Sequence, residues 1–167
     1  MIRSLPAGLF ALAFFQAALA AEAPAPAAPS PAATPAQAAL MAPVLNVVDP
    51  DRSVKFYADT LGMTLGMTLD AGQKREYMLR FSGDPAAPGI ILMHDRSPQA
   101  PTKLDPGTAW SKLVIRVADL DAVAARFDHA GYPREALRDT GHGYKVMFAT
   151  DPEGHRLELV QQAARRP

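Results

Sequence analysis

Leu113-Val114-Ile115-Arg116-Val117-Ala118-Asp119-Leu120-Asp121 echoes Val44-Leu45-Asn46-Val47-Val48-Asp49-Pro50-Asp51. In register, Asp119 falls on Asp49 and Asp121 on Asp51, an offset of 70. Each stretch is a short β-branched run that stops at an aspartate, which reads as a strand followed by a helix N-cap. Pro50 suits the first helical turn, and Val54, Phe56, Tyr57 and Leu61 supply a helical apolar face closed by Gly62. Val123, Phe127 and Gly131 play the same parts in the second copy, within one deleted residue. Downstream of the first helix, Met63–Leu69, Glu76–Phe81 and Gly89–His94 read as three strands between Gly-, Asp- and Pro-rich turns. Downstream of the second, Tyr132–Leu137, Tyr144–Thr150 and Arg156–Val160 do the same. The chain is therefore a doubled β-α-β-β-β unit. The expected fold is α+β: tandem modules, 42–95 and 110–163, forming a curved, mostly antiparallel eight-stranded sheet with helices on its convex side. Such a sheet leaves an open trough suited to a small molecule.

The residues before the repeat differ in character. Arg3, the apolar run Leu9–Phe15 and Ala18-Leu19-Ala20 read as a secretory signal, residues 1–20, with export to the periplasm or medium expected. Residues 21–41 alternate alanine with proline and read as a disordered linker that cannot build a core. The folded domain is expected over 42–163. The 167 residues carry 17 Lys+Arg and 17 Asp+Glu, which leaves no basic footprint for nucleic acid. No membrane contact is expected beyond the signal segment. The absence of cysteine excludes disulfides, thiol catalysis and thiolate metal sites. There is no Gly-rich phosphate loop and no Gly-x-Ser-x-Gly nucleophile elbow.

Val47-Val48-Asp49-Pro50-Asp51-Arg52-Ser53-Val54-Lys55-Phe56-Tyr57 with Leu61-Gly62-Met63 resembles the opening signature of the vicinal-oxygen-chelate (VOC) superfamily. Asp151-Pro152-Glu153-Gly154-His155-Arg156-Leu157-Glu158-Leu159-Val160 resembles its closing signature. This superfamily includes glyoxalase I, bleomycin and fosfomycin resistance proteins and extradiol dioxygenases. The resemblance implies four strand positions that present His, Gln or Glu to a divalent metal. They fall here on Ala42, Leu92, Lys112 and Glu158. Alanine and leucine cannot coordinate, and a lysine ammonium has no lone pair to offer. The cofactor is thus unknown, and a divalent metal is disfavoured. His94 with Glu158 makes the weak remaining metal candidate.

Strand alternation sets the expected trough face. It comprises Ala42, Val44 and Asn46; Ile90, Leu92 and His94; Lys112, Val114 and Arg116; and Arg156, Glu158 and Val160. Asn46, His94, Lys112, Arg116, Arg156 and Glu158 are the candidate ligand-binding groups. Lys112 paired with Glu158 would fill the metal's volume, and Arg116 with Arg156 would grip an anion. No catalytic residue is assigned. Three readings stand open: an exported glyoxalase-like binder of a small anion without the family metal, a metal-dependent lyase or dioxygenase, and a non-catalytic interaction or resistance-type sequestering module. The resemblance also allows a homodimer that exchanges modules between chains.

Overall fold

In a computed structural model, residues 39–84, 87–105 and 107–162 are described. The expected signal and most of the linker lie outside them. The elements run β1 (Val44–Val47), α1 (Pro50–Leu61), β2 (Thr64–Ala71), β3 (Lys74–Arg80), β4 (Gly89–Asp95), β5 (Leu113–Arg116), α2 (Leu120–Ala130), β6 (Arg138–Asp139), β7 (Tyr144–Thr150) and β8 (Arg156–Gln162). The eight strands form two four-stranded sheets, ordered β1-β4-β3-β2 and β5-β8-β7-β6. In each, the first strand pairs parallel with the last, and the other pairings are antiparallel. The duplicated pattern is thus realised as two copies of one topology.

Both helices start and stop where the sequence says. Asp49 accepts from Arg52 N at 3.0 Å and Asp119 from Ala122 N at 2.9 Å, each satisfying an orphan amide of a first turn. Gly62 and Gly131 end the helices at φ 70° and 75°, a left-handed backbone that favours glycine. The expected strand over Tyr132–Leu137 does not form: β6 is the two-residue Arg138–Asp139, just beyond it. Pro133 has no amide to donate, so the preceding segment meets β7 only through the Arg134–Ala149 bridge and the Glu135 amide on the Phe148 carbonyl.

The helices hold the two halves together. Phe56 of α1 is fully buried and meets Phe127 of α2 and Tyr132 edge-on, with ring centroids 5.7 and 4.9 Å away. Arg126 of α2 donates to the carbonyls of Asp59 and Ala58, placing a cation at the negative end of α1. The closing motif binds the opening one. Asp151, buried in the β7–β8 turn, accepts from the Tyr57 hydroxyl at 2.9 Å. Its other oxygen accepts from the amides of Glu153 and His155. Glu153 accepts the Asp49 amide and an Arg52 guanidinium N–H, both at 3.0 Å. The two signatures are one interlocked joint between modules.

Gly89 is the other fixed point. A Cβ there would run into the Leu79 carbonyl oxygen of the neighbouring strand. Close approach of β3 to β4 therefore requires glycine at the head of β4.

Burial, with the Asp151 carboxylate alongside, raises the Tyr57 phenol well above its ordinary value. Tyr57→Phe is expected to cost about 1–3 kcal/mol at pH 7, because a buried acceptor loses its donor. The raised folded value means that the tyrosine's contribution is whole below the ordinary phenol pKa of about 10 and falls as pH climbs above it. Urea unfolding at pH 7 and pH 11 checks this: the gap between wild type and variant should narrow at the higher pH.

Candidate functional site

Each sheet packs one face on the helices and leaves the other open. Strand register assigns the faces, because laterally paired residues point the same way. Leu45 pairs with Leu92, and Leu79 with Ile90, and all four are buried beneath the helices. Val44 and Asn46 therefore share the open face with Ile91 and Met93. This corrects the expected trough by one residue along β4. Ile90 and Leu92 belong to the core, and His94 pairs with Val47 on the helix side. The His94 Nδ1 lies 3.2 Å from the Val47 carbonyl oxygen. It stands on the first sheet, and Glu158 stands on the open face of the second, so the two do not form a metal pair.

The first module's open face continues with Glu76 and Met78 on β3 and Leu69 and Met67 on β2. It is mostly apolar and rich in methionine. The second module's open face is charged. Register joins Val114 with Glu158, Arg116 with Val160, and Phe148 with Glu158. Lys112, two residues before Val114, projects to the same side.

These side chains gather round one ring. The Lys112 ammonium lies 5.4 Å from the centre of Phe148, the Arg138 guanidinium 5.2 Å and the Arg156 guanidinium 4.8 Å. All are within cation–π range. Lys112 Nζ sits 2.6 Å from Glu158 Oε2, with Glu158 only 17% exposed. Glu135 accepts from Arg156 and lies 3.9 Å from Arg138. Three cations and two carboxylates thus share one patch. The Lys112–Glu158 pair forms as the sequence suggests. Arg116 and Arg156 do not flank one point: they sit at opposite ends of the sheet face, about 13 Å apart along the strand at 3.3 Å per residue. Asn46 lies on the first module's open face, and its side chain, like that of Arg116, has no hydrogen bond or ion pair among the described residues.

The duplication gives its own test of the metal expectation. The pair Val114–Glu158 corresponds to Val44–Ile91, so the counterpart of Glu158 is Ile91 rather than Leu92. The four corresponding positions hold Ala42, Ile91, Lys112 and Glu158. A divalent metal needs three or four N/O donors. One carboxylate already bonded to an ammonium does not fit that need. Among the described residues, no three His, Asp or Glu side chains gather at one point.

The sequence reading missed Phe148, Arg138 and Glu135. Extending the offset of 70 from β3 to β7 would have placed Phe148 opposite Glu158, as Met78 stands opposite Ile91. His155 is buried, with Nδ1 2.9 Å from Asp151 Oδ2, and serves the joint between modules rather than the open face. His129 stays in the last turn of α2, and His142 is exposed in the β6–β7 connection.

Comparison with known proteins follows the same lines. Residues 17–159 match the family described as Glyoxalase/Bleomycin resistance protein/Dioxygenase superfamily. A probable lactoylglutathione lyase of Vibrio parahaemolyticus is 34% identical over 122 residues, spanning 71% of this chain and 86% of that protein. The lactoylglutathione lyase of Haemophilus influenzae is 33% identical over 123 residues, spanning 71% and 88%. Among solved structures, the trypanothione-dependent glyoxalase I of Leishmania major superposes with a TM-score of 0.63 at 22% identity, covering 74% of this chain and 86% of that one. TnmS3, an antibiotic binding protein from Streptomyces sp. CB03234, superposes with a TM-score of 0.59 at 24% identity, covering 77% and 98%. With both signatures, the duplicated topology and these matches in hand, the chain is a member of the glyoxalase/bleomycin resistance protein/dioxygenase superfamily.

Proposed function

We infer that this protein is an exported, glyoxalase-like binder of a small anionic molecule, held on the open sheet face without the family's metal. The observation that carries the reading is the Lys112–Glu158 pair, 2.6 Å long, at two of the four positions where the resemblance expects metal ligands. An ammonium there repels a divalent cation and attracts an anion. The carboxylate that would have ligated metal instead fixes the ammonium. A partly buried ion pair brings little net stability on its own. Its position is better explained by what it offers a ligand.

A second copy of the chain is part of this reading. β1 and β5 each form a sheet edge, and Val44 and Val114 stand there 49% and 56% exposed. Exposed apolar edge strands invite pairing. A homodimer that sets β1 of one copy against β5 of the other would cover both. Export rests on the leader-like residues 1–20 alone. The competing reading is a metal-dependent lyase, which the identity to lactoylglutathione lyases favours.

Native mass spectrometry of the purified periplasmic fraction tests these points together. The expected result is a dimer cleaved after Ala20, with substoichiometric metal and a retained anionic small molecule. A stoichiometric divalent metal that disappears in Glu158→Gln, with lactoylglutathione formation by the loaded protein, would establish the lyase instead. Lys112→Met should weaken an anionic ligand at least about tenfold, as loss of a charge-assisted contact does. Unchanged affinity measured by calorimetry would remove Lys112 from the site.

A further inference from the structure

The two modules share a fold and differ in chemistry at matching places on their open faces. Where the second has Lys112, Arg138, Phe148, Arg156 and Glu158, register puts Ala42, Leu69, Met78, Gly89 and Ile91 in the first. The fold builds this surface stably from small and apolar residues. The charged version is therefore not a requirement of the architecture.

Within that patch, Phe148 is a platform and Arg156 its upper layer. The Arg156 guanidinium carbon lies 4.8 Å over the ring, and the side chain remains 45% exposed. A guanidinium stacks on aromatic faces and is weakly hydrated on its own faces, so its outer face is suited to a second planar group. Glu135 accepts from one terminal nitrogen of Arg156 and so limits its rotation. Among the described residues, the other guanidinium nitrogens of Arg156 have no hydrogen-bond partner. Arg138 beside the same ring adds a second charge of that sign.

We propose that the patch around Phe148 binds a planar conjugated carboxylate, stacked on the Arg156 guanidinium so that ring, guanidinium and ligand form three layers. The proposal rests on the anion-binding reading above and names the chemical class of the anion. A flat π-system gains dispersion and cation–π attraction that a saturated body of equal size lacks. The ligand's carboxylate lies in its own layer and is drawn there by the positive charges of Arg156 and Arg138.

The test is titration calorimetry on the full chain with 2-naphthoate as the probe. Its saturated counterpart decahydronaphthalene-2-carboxylate, neutral 2-naphthamide and inorganic phosphate serve as comparators. 2-Naphthoate is expected to bind at least about tenfold more tightly than each comparator and to weaken as salt rises. Phe148→Leu and Arg156→Gln should each lower its affinity by about tenfold or more. Phe148→Tyr keeps the platform and should stay within about threefold of wild type. Circular-dichroism melting confirms that each variant is folded. If the saturated carboxylate or phosphate binds as well as 2-naphthoate, the stacking proposal fails and the anion-binding reading survives. If 2-naphthamide binds as well as 2-naphthoate, the proposal fails as well. If wild type binds none of the anions, both fail.

Discussion

Asp151 is the point on which the two halves turn. Its carboxylate is buried and receives a hydroxyl from the first helix of one module and two amides of its own turn in the other. A buried charge is tolerated only when its lone pairs are filled. Here one partner, the Tyr57 hydroxyl, comes from the other module, so separating the modules would leave that oxygen with the His155 imidazole alone. The neighbouring Glu153 extends the same logic to the start of α1, where a carboxylate meets a helix N-terminus. Family signatures that look like two local sequence motifs are the two sides of one contact.

With the helices joined back to back by Phe56, Phe127 and Arg126, both open faces are turned away from the joint. The fold thus separates structural duty from chemical duty. Alternate residues of each strand serve the core, and the intervening ones are free to diverge. They have diverged in opposite directions, toward methionine and isoleucine in one module and toward arginine, lysine and glutamate in the other. The family provides the frame, and the free alternate positions decide what is bound.

Much of this frame was legible in the residues. Asp49, Asp119, Gly62 and Gly131 announce helix ends because capping is local chemistry that tertiary context rarely overrides. The Lys112–Glu158 pair followed from alternation on β5 and β8, where charged and apolar residues mark the faces clearly. The face of β4 was misread because Ile90-Ile91-Leu92-Met93 is apolar throughout, so no alternation fixes its parity. A slip of one residue then carried His94 to the wrong side. Partition into two sheets was also hidden, since strand patterns do not say whether β1 and β5 pair within a chain.

Gly89 gives this asymmetry a direction. It occupies, in the first module, the place that Arg156 holds in the second, and the Leu79 carbonyl forbids any side chain there. Point mutation can strip the second half of its arginine, but cannot install the equivalent in the first without rebuilding the strand beside it. The two halves are therefore not interchangeable: one substitution removes the arginine from the second, but none adds its counterpart to the first unless β3 moves aside.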